Sequence, residues 1–243
     1  VKRYLNFAEI PIGELPGTWY LLGRVNTTVN ELRACAKDAG LYYGDNRGNK
    51  SFDTKQWRAI KSWTRITKGK SIKKHDAEIM MRYIREIKDH SYRRTGFWIE
   101  LPDTQEYDFD GLRDWCGLNL NDEAAMKPWW EILQRNFTAT QTEYFIRLLK
   151  RYGQGSLDED PQIIIDTIHS VKGGEANNVL LYSKANYPSS FVNKKSADDK
   201  SDEKRVYYTG ATRARDTLHI LSSNYRYNYP IGEDYLIYLR EKK

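Results

Sequence analysis

The sequence has only two cysteines among its 243 residues, Cys35 and Cys116, and their spacing is not that of metal ligands. With four scattered histidines, a zinc site is not expected, and we interpret both thiols as reduced and partly buried. The chain also lacks an apolar run long enough to span a membrane, and no charged-then-apolar leader begins at Val1. We therefore expect an intracellular protein, cytoplasmic in a bacterial, phage or similar setting, with no membrane partner.

A phosphate-binding loop of the form G-x-x-x-x-G-K-[ST] is also missing. Residues 44–51 come nearest, but Asn49 precedes Lys50 where that loop needs a glycine. A turn that leads into a helix capped by Asp53 or Thr54 explains the segment. No Asp-Glu pair follows an apolar strand as a metal-binding motif would. The sequence thus contains neither of the two usual elements that hold the phosphates and metal of a nucleotide.

Positive charge is in modest excess. The chain has 39 Lys and Arg against 33 Asp and Glu, for a formal net charge of +6 and a pI of about 9.1. This balance suits a polyanionic partner such as nucleic acid, although many proteins with the same balance bind none. The length allows one large domain or two small ones with a substantial core.

Apolar runs that end in polar or glycine residues predict an α/β fold. Residues 18–22 are expected to form a buried strand, followed by a helix in which Thr28 and Glu31 stand at capping-box spacing and which Gly40 closes. The other predicted strands share the same apolar character and cover residues 163–165, 178–182 and 217–221.

The pattern between these strands predicts two domains. Residues 57–155 are interpreted as a mainly helical insertion between strands of one sheet, and residues 18–56 and 156–243 as the sheet domain. Residues 1–17 contain several prolines and glycines and are interpreted as a linker or lead-in. Residues 193–205 carry charges of both signs and few apolar side chains, which predicts a mobile loop.

The predicted insertion is rich in tryptophan, with Trp98, Trp115, Trp129 and Trp130. Aromatic faces can stack on unpaired bases. Most tryptophans in globular proteins are core residues, however, so we expect packing roles for at least three of these four.

Two segments carry most of the functional signal. Residues 163–175 pass from an apolar strand into polar and glycine residues, at the strand end where open α/β sheets place ligands. Gly173 and Gly174 allow a close backbone approach to a ligand, and Lys172 and Glu175 flank them with opposite charges. Residues 203–215 carry several arginines, and Arg213 has small neighbours that leave a long cation room to project.

These segments resemble a known family. Residues 167–175, with Thr167, His169, Lys172, Gly173 and Glu175, resemble motif V (T-x-H-x-x-K-G-x-E) of superfamily 1 helicases of the UvrD/Rep type. Residues 208–215 resemble their motif VI (Y-V-x-x-T-R-A), and residues 18–46 are similar to a segment of the form V-L-x-R-x-N. The resemblance implies the second RecA-like, P-loop NTPase-type domain: a parallel sheet flanked by helices, interrupted by an accessory subdomain.

The resemblance also implies details of local structure. It puts motif VI on a helix, although the local propensity of residues 206–209 favours a strand, and we follow the resemblance. Gly174 stands where the family usually has leucine and Ala176 where an aromatic residue is common, which predicts looser packing behind this loop.

What the resemblance implies about function is the C-terminal half of an ATP-dependent DNA helicase or translocase. Arg213 would reach the γ-phosphate as an arginine finger. Glu175 would bond the ribose, with Gly173 and Lys172 beside the nucleotide. Thr167 and His169 would contact the DNA backbone.

Arg24 and Asn26 are further candidates for contacts to DNA, because the family's matching positions lie near single-stranded DNA. The alternative is structural: Asn26 would help cap the helix and Arg24 would pair with a neighbouring carboxylate. The residues do not favour either interpretation.

The expected partners are single-stranded DNA, or a junction of single and double strands, and an N-terminal RecA-like domain of the same protein. That domain would bring the Walker A lysine and the carboxylates for Mg²⁺, so this chain alone is expected not to hydrolyse ATP. The alternative function is an ATPase-inactive, helicase-like module that only binds nucleic acid or a partner protein.

Overall fold

The computed structural model describes residues 1–84, 106–116, 126–184, 197–222, 228–229 and 231. The chain divides into two compact units. One comprises Val1–Ser51 with Arg151–Lys243, and the other is Phe52–Lys150. None of the helices in the described residues is long and apolar enough to cross a membrane.

The described chain contains both strands and helices. The strands are β1 (Lys2–Tyr4), β2 (Trp19–Gly23), β3 (Ile72–Lys73), β4 (Glu106–Tyr107), β5 (Ile163–Thr167), β6 (Ala176–Tyr182) and β7 (Ala214–Leu221). The α-helices are α1 (Asn26–Asp38), α2 (Thr54–Ile66), α3 (Lys74–Met81), α4 (Phe109–Cys116), α5 (Trp129–Ile132), α6 (Ala139–Tyr152) and α7 (Ala197–Ala211). Short 3-10 helices lie at Phe7–Glu9 and Gly155–Leu157.

A five-stranded parallel sheet organises the first unit, in the order β1-β7-β6-β2-β5. Its side chains alternate between two cores, as the pleat of a strand requires. Leu21 belongs to the core that α1 covers, and the adjacent Leu22 belongs to the core beneath α7 and the segment 168–175. Because both faces are covered, the strands contain the near-continuous apolar runs seen in the sequence. The predicted fold class, a RecA-like parallel sheet flanked by helices, is confirmed.

Helix α1 begins earlier than the capping pattern predicted. Its N-cap is Val25, and Thr28 lies inside the first turn, where its hydroxyl accepts from the Val25 N–H at 3.3 Å and donates to the Val25 carbonyl at 2.8 Å. Thr28 therefore closes the first turn from within instead of preceding it. At the other end Gly40 has a φ of +62°, which terminates the helix as predicted.

The unit Phe52–Lys150 is mainly helical, with β3 and β4 as a two-stranded antiparallel sheet. Asp53 caps α2 by accepting from the Lys55 N–H at 2.7 Å. Aromatic side chains form much of its core: the Trp57 ring stacks on Phe145, and Trp129 meets Phe145 edge-on.

Two of the four tryptophans can be compared with the predicted packing roles. Trp129 is packed in the core, and Trp130 is exposed. Trp129 is 5% exposed and Trp130 is 41% exposed. Trp98 and the side chain of Trp115 lie outside the described residues.

Two predictions about irregular segments are wrong. Residues 1–17, expected to be a lead-in, contain β1, whose residues pair in parallel with β7 from Lys2↔His219 to Tyr4↔Leu221. Within residues 193–205, the part from Ala197 onward is helical and belongs to α7. The physical reason is a spacing of four residues, which puts Glu203, Tyr207 and Ala211 on one buried face of that helix. Motif VI begins on this helix with residues 208–211 and ends in β7, so the helix that the resemblance implied is found for its first half.

Candidate functional site

The predicted site residues separate into two groups because β2, β5, β6 and β7 are parallel. Gly23 and Thr167 pair as the last residues of β2 and β5, so Arg24 and the segment after Thr167 start at the carboxyl edge of the sheet. Glu175 and Arg213 directly precede β6 and β7 and lie at the opposite, amino edge. The expectation that this whole segment sits at a strand's carboxyl end is therefore wrong for Glu175, because residues 168–175 cross the sheet before β6 begins.

At the amino edge, Glu175 and Arg213 stand at the starts of neighbouring strands. The Ala176 N–H donates to the Arg213 carbonyl at 3.0 Å, and Ala176 is paired with Ala214. The Glu175 carboxylate accepts from Nε of Arg215 at 3.0 Å, with both side chains at least half exposed. Two residues far apart in the sequence are thus joined on one rim, and the direct ionic partner of Glu175 is Arg215.

Arg213 is held by its own neighbourhood. Its Nε donates to the Thr209 carbonyl at 3.1 Å, Nη1 to the Gly174 carbonyl at 3.1 Å and Nη2 to the Thr212 hydroxyl at 3.2 Å. A guanidinium has five N–H groups. Two of them, one on each terminal nitrogen, have no acceptor in the described parts of the chain. The guanidinium plane is therefore fixed while part of its fork remains available.

The glycine pair beside this arginine has two different roles. Gly173 has a φ of +92°, a backbone conformation that favours glycine, and a Cβ there would meet nothing within 4 Å. At Gly174 a Cβ would lie 2.5 Å from the Tyr20 hydroxyl. The looser packing expected behind the loop is not found at this point, because the Tyr20 ring from β2 fills the space. Lys172 is exposed next to them.

At the carboxyl edge, a short turn follows β5. The Thr167 hydroxyl accepts from the Ser170 N–H at 3.3 Å, and the Ser170 hydroxyl donates to the Thr167 carbonyl at 2.8 Å. His169, within this turn, has an exposed side chain. Asn46 supports the turn by donating from Nδ2 to the Ser170 carbonyl at 2.7 Å and from its N–H to Asp166 at 3.2 Å. Sequence reasoning missed this support, since residues 44–51 were interpreted only as a turn before a helix.

Arg24, which follows β2 at the same edge, has a carboxylate partner. Its Nε and Nη2 donate to the two oxygens of Glu203 on α7, at 2.7 and 3.2 Å. The Glu203 side chain is 1% exposed and that of Arg24 is 20% exposed. Asn26 is exposed at the first position of α1, and Thr28 rather than Asn26 bonds the backbone there. The alternative interpretation thus holds for the pairing of Arg24 and fails for the capping by Asn26.

In the part of the chain that the structure describes, no group of three or more His, Cys, Asp or Glu side chains is arranged to hold a metal ion. One buried polar group near the site was not expected from the sequence. The Tyr207 hydroxyl is buried with no hydrogen-bond partner among the described residues, and the Tyr207 ring stacks on Tyr229 with centroids 4.1 Å apart. The spacing of Glu203, Tyr207 and Ala211 was the signal in the sequence that predicts this buried helix face.

A parallel sheet covered on both faces, with polar residues at both of its edges, defines an α/β protein of the RecA-like class. Residues 120–225 match the family described as the UvrD-like helicase C-terminal domain, so this part of the chain is similar to such a domain. The match includes β5, β6, α7 and β7, and with them the two segments 163–175 and 203–215. It begins within the unit Phe52–Lys150. It does not include residues 18–46, where the resemblance was also drawn. No curated protein matches the chain.

Proposed function

We propose that this chain is the C-terminal RecA-like half of an ATP-dependent DNA helicase or translocase. In this proposal the amino edge of the sheet is one wall of an ATP site, and the carboxyl edge is part of the path of single-stranded DNA. The family match supports a helicase C-terminal half in general, and the roles of individual residues below are our inference.

The observation that carries the proposal is the meeting of Glu175 and Arg213 at the starts of adjacent strands. A carboxylate and a fixed guanidinium on one rim suit the two ends of a nucleoside triphosphate, since a carboxylate accepts from ribose hydroxyls and a guanidinium donates to phosphate oxygens. The hydrogen bond from the Ala176 N–H to the Arg213 carbonyl, at 3.0 Å, keeps the two residues at a constant separation.

Arg213 fits the role of an arginine finger because it is preorganised. Its three bonds to Thr209, Gly174 and Thr212 hold the guanidinium plane, and two N–H groups remain for the γ-phosphate. A donor that is already oriented stabilises developing charge without a reorganisation cost at the moment of reaction. The open space at Gly173 leaves the backbone accessible to the nucleotide, and Lys172 adds a nearby positive charge.

The other wall of the site is proposed to come from an N-terminal RecA-like domain of the same protein, with a Walker A lysine and the carboxylates that bind Mg²⁺. The donor set at the amino edge fits a polyphosphate and a ribose, and among the residues that the structure describes no cluster of side chains by itself fits the metal. ATP bound with Mg²⁺ supplies the phosphoryl group that is transferred to water. Arg213 orients and neutralises the phosphate end, and Glu175 positions the ribose.

The carboxyl edge supports contacts to DNA because polar groups converge there. Thr167 ends β5 and the exposed His169 follows it, and Asn26 opens α1, a helix whose first N–H groups have no acceptor within the helix. Hydroxyl, imidazole, amide and helix N-terminal groups are all typical donors to backbone phosphates. Arg24 is proposed to add charge to the same path, although part of its fork is already used by Glu203.

The test of the proposal is Arg213→Ala in the full-length protein that contains this chain. We expect turnover of ATP in the presence of oligothymidylate to fall by about 10³-fold or more, while nucleotide affinity changes little, because an arginine finger acts mainly in the transition state. Turnover is followed by phosphate release, and affinity by titration with a fluorescent ATP analogue.

Arg205→Ala is the matched control, since Arg205 lies on α7, the helix that precedes Arg213, is exposed and pairs only with Asp202 three residues away among the contacts described. A nearly normal rate for Arg213→Ala would remove the finger assignment. If the unmodified full-length protein hydrolyses no ATP but binds oligothymidylate or a partner protein, the chain is the ATPase-inactive module that the sequence left as the alternative.

A further inference from the structure

Helix α7 joins the two edges of the sheet. It follows β6, whose last residue lies at the carboxyl edge, and it leads into β7, whose first residue lies at the amino edge. Glu203 lies within this helix, and Arg213 follows its last turn. At 1.5 Å per residue, the axial distance from Glu203 to the end of the helix at Ala211 is about 12 Å. A rigid element thus connects the region of Arg24 with the region of Arg213.

Near the carboxyl edge of the sheet, α7 is held by an ion pair that has two hydrogen bonds and a buried carboxylate. Arg24 donates from Nε and Nη2 to the two Glu203 oxygens, at 2.7 and 3.2 Å. A two-point pair of this kind fixes direction as well as distance. The Tyr207 ring, one turn further along α7, stacks on Tyr229 and shields the same region from water. Burial, followed by the charge of Glu203, raises the pKa of Tyr229 to about 12, so that ring is neutral at physiological pH.

Burying an ion pair costs free energy, because both charges must be removed from water. Apolar residues of similar volume often stabilise a buried position equally well without that cost. Glu203 occupies the α7 face where Tyr207 and Ala211 make ordinary apolar contacts. The carboxylate therefore adds something that packing alone does not, which is a fixed orientation relative to a cation at the edge of the sheet.

We propose that Glu203 and Arg24 form a latch through which occupancy of the carboxyl edge by single-stranded DNA is communicated to Arg213. The Arg24 side chain is 20% exposed, and only two of its nitrogens are engaged by Glu203. A DNA phosphate near Asn26 shares the Arg24 fork with Glu203, and the shift in Arg24 is passed to α7 through the buried carboxylate. Glu203 and Arg24 are positioning residues in this scheme, and the inference rests on the DNA path of the proposed function.

The experiment compares Glu203→Gln and Arg24→Lys in the full-length protein with Arg205→Ala on the exposed side of α7. Glu203→Gln keeps the volume and removes the charge, and Arg24→Lys keeps the charge and removes the fork. Three quantities are measured: ATP turnover without DNA, turnover with saturating oligothymidylate, and hydrogen exchange of peptides from residues 203–213 with and without the oligonucleotide.

We expect basal turnover of Glu203→Gln to stay within about twofold of the unmodified protein. Stimulation by oligothymidylate should fall by about fivefold or more, in the range of ordinary coupling between two sites. The oligonucleotide should change hydrogen exchange across residues 203–213 in the unmodified protein and in Arg205→Ala, and not in the latch variants. Arg24→Lys is the milder substitution, and the hydrogen-exchange response of that variant carries the test if Glu203→Gln is not stable.

The outcomes separate this inference from the proposed function. Equal loss of basal and stimulated turnover would mean that the pair only supports folding, and unchanged stimulation or exchange in both variants would also overturn the latch. If the unmodified protein hydrolyses no ATP while its exchange response to DNA depends on Glu203, the proposed function fails and the latch remains.

Discussion

The hydroxyl of Tyr20 occupies the space that a side chain on Gly174 would need. A Cβ on Gly174 would lie 2.5 Å from the Tyr20 hydroxyl oxygen and 3.4 Å from the ring carbon that bears it. Gly174 has an ordinary backbone conformation, so its lack of a side chain matters here because of Tyr20. A leucine at this position, as the resemblance would give, would thus need the space that the Tyr20 hydroxyl fills in this chain.

This contact predicts that the loss of unfolding free energy caused by Gly174→Ala depends on Tyr20. The single substitution should lower the free energy of unfolding by about 1 kcal/mol or more, because the methyl group overpacks a filled site. In a Tyr20→Phe background the nearest remaining ring atoms are at ordinary contact distance, so most of that cost should disappear. A double-mutant cycle from urea unfolding measures the coupling, expected at about 1 kcal/mol.

Gly173→Ala is the control for this cycle. It also adds one methyl group to the same loop, but into open space and onto a backbone with a φ of +92°. Its cost, about 1 kcal/mol from backbone strain, should be the same with Tyr20 or Phe at position 20. Equal costs of Gly174→Ala in the two backgrounds would show that the hydroxyl does not limit the site.

The central strands of the sheet were predictable because their apolar runs are long and buried on both faces. β1 was not predictable in this way: it is three residues long, and Lys2 pairs with His219, far along the chain. No local pattern specifies such a partner. The helical part of residues 193–205 was missed for another reason, since composition suggested a loop while the spacing of Glu203 and Tyr207 on α7 already had a helical period.

The residues of the candidate site could be selected from the sequence, but their grouping could not. Thr167 and Glu175 are only eight positions apart and lie at opposite edges of the sheet. The reason is that β5 and β6 are both parallel to β2, which lies between them in the strand order, so the chain must return to the amino edge before β6 begins. Strand order depends on contacts along the whole chain. The pairing of Arg24 with Glu203 depends on the same order, which is why the sequence left two interpretations of Arg24 open.

His169 offers a test of the proposed DNA path at the carboxyl edge. His169→Ala should weaken binding of the full-length protein to oligothymidylate by about two- to tenfold, the range for one hydrogen bond to a phosphate. Fluorescence anisotropy at several salt concentrations measures the affinity. His75→Ala makes the same chemical change at an exposed position in the unit Phe52–Lys150 and serves as the control. Identical binding curves for the two variants and the unmodified protein would remove His169 from the path.

Glu175 should determine how strongly the full-length protein selects a ribose. If its carboxylate accepts from a ribose hydroxyl, 2′,3′-dideoxy-ATP should bind about 10- to 100-fold more weakly than ATP, as expected for a lost hydrogen bond to a charged group. Glu175→Ala should bind both nucleotides with nearly equal affinity. Arg215→Ala removes the ion pair of 3.0 Å but keeps the carboxylate, so it should retain the preference for ATP. A preference that persists in Glu175→Ala would assign ribose recognition elsewhere.

His219 should make the stability of the chain depend on pH. It is fully buried in β7, where its ring stacks on Tyr4 and lies tilted against Trp19, and its Nδ1 lies 3.2 Å from the Tyr4 hydroxyl. Burial, with a further contribution from the charge of Lys2, lowers the pKa of His219 to about 4. The unfolded chain has the ordinary histidine pKa of about 6.5. Below that pH the unfolded state therefore takes up a proton that the folded state does not.

Because the pKa of His219 is lowered on folding, the chain becomes less stable as the pH falls. The stabilisation associated with neutral His219 is complete above about pH 6.5 and is lost as the pH falls towards 4, by about 1.4 kcal/mol per pH unit. His219→Phe keeps an aromatic ring between Tyr4 and Trp19 and removes the titrating group. Urea unfolding of both proteins between pH 7 and pH 4.5 isolates this contribution, because the other titrating groups cancel in the difference. The unmodified protein should lose stability relative to His219→Phe as the pH falls, and a constant difference would show that folding does not lower the pKa of His219.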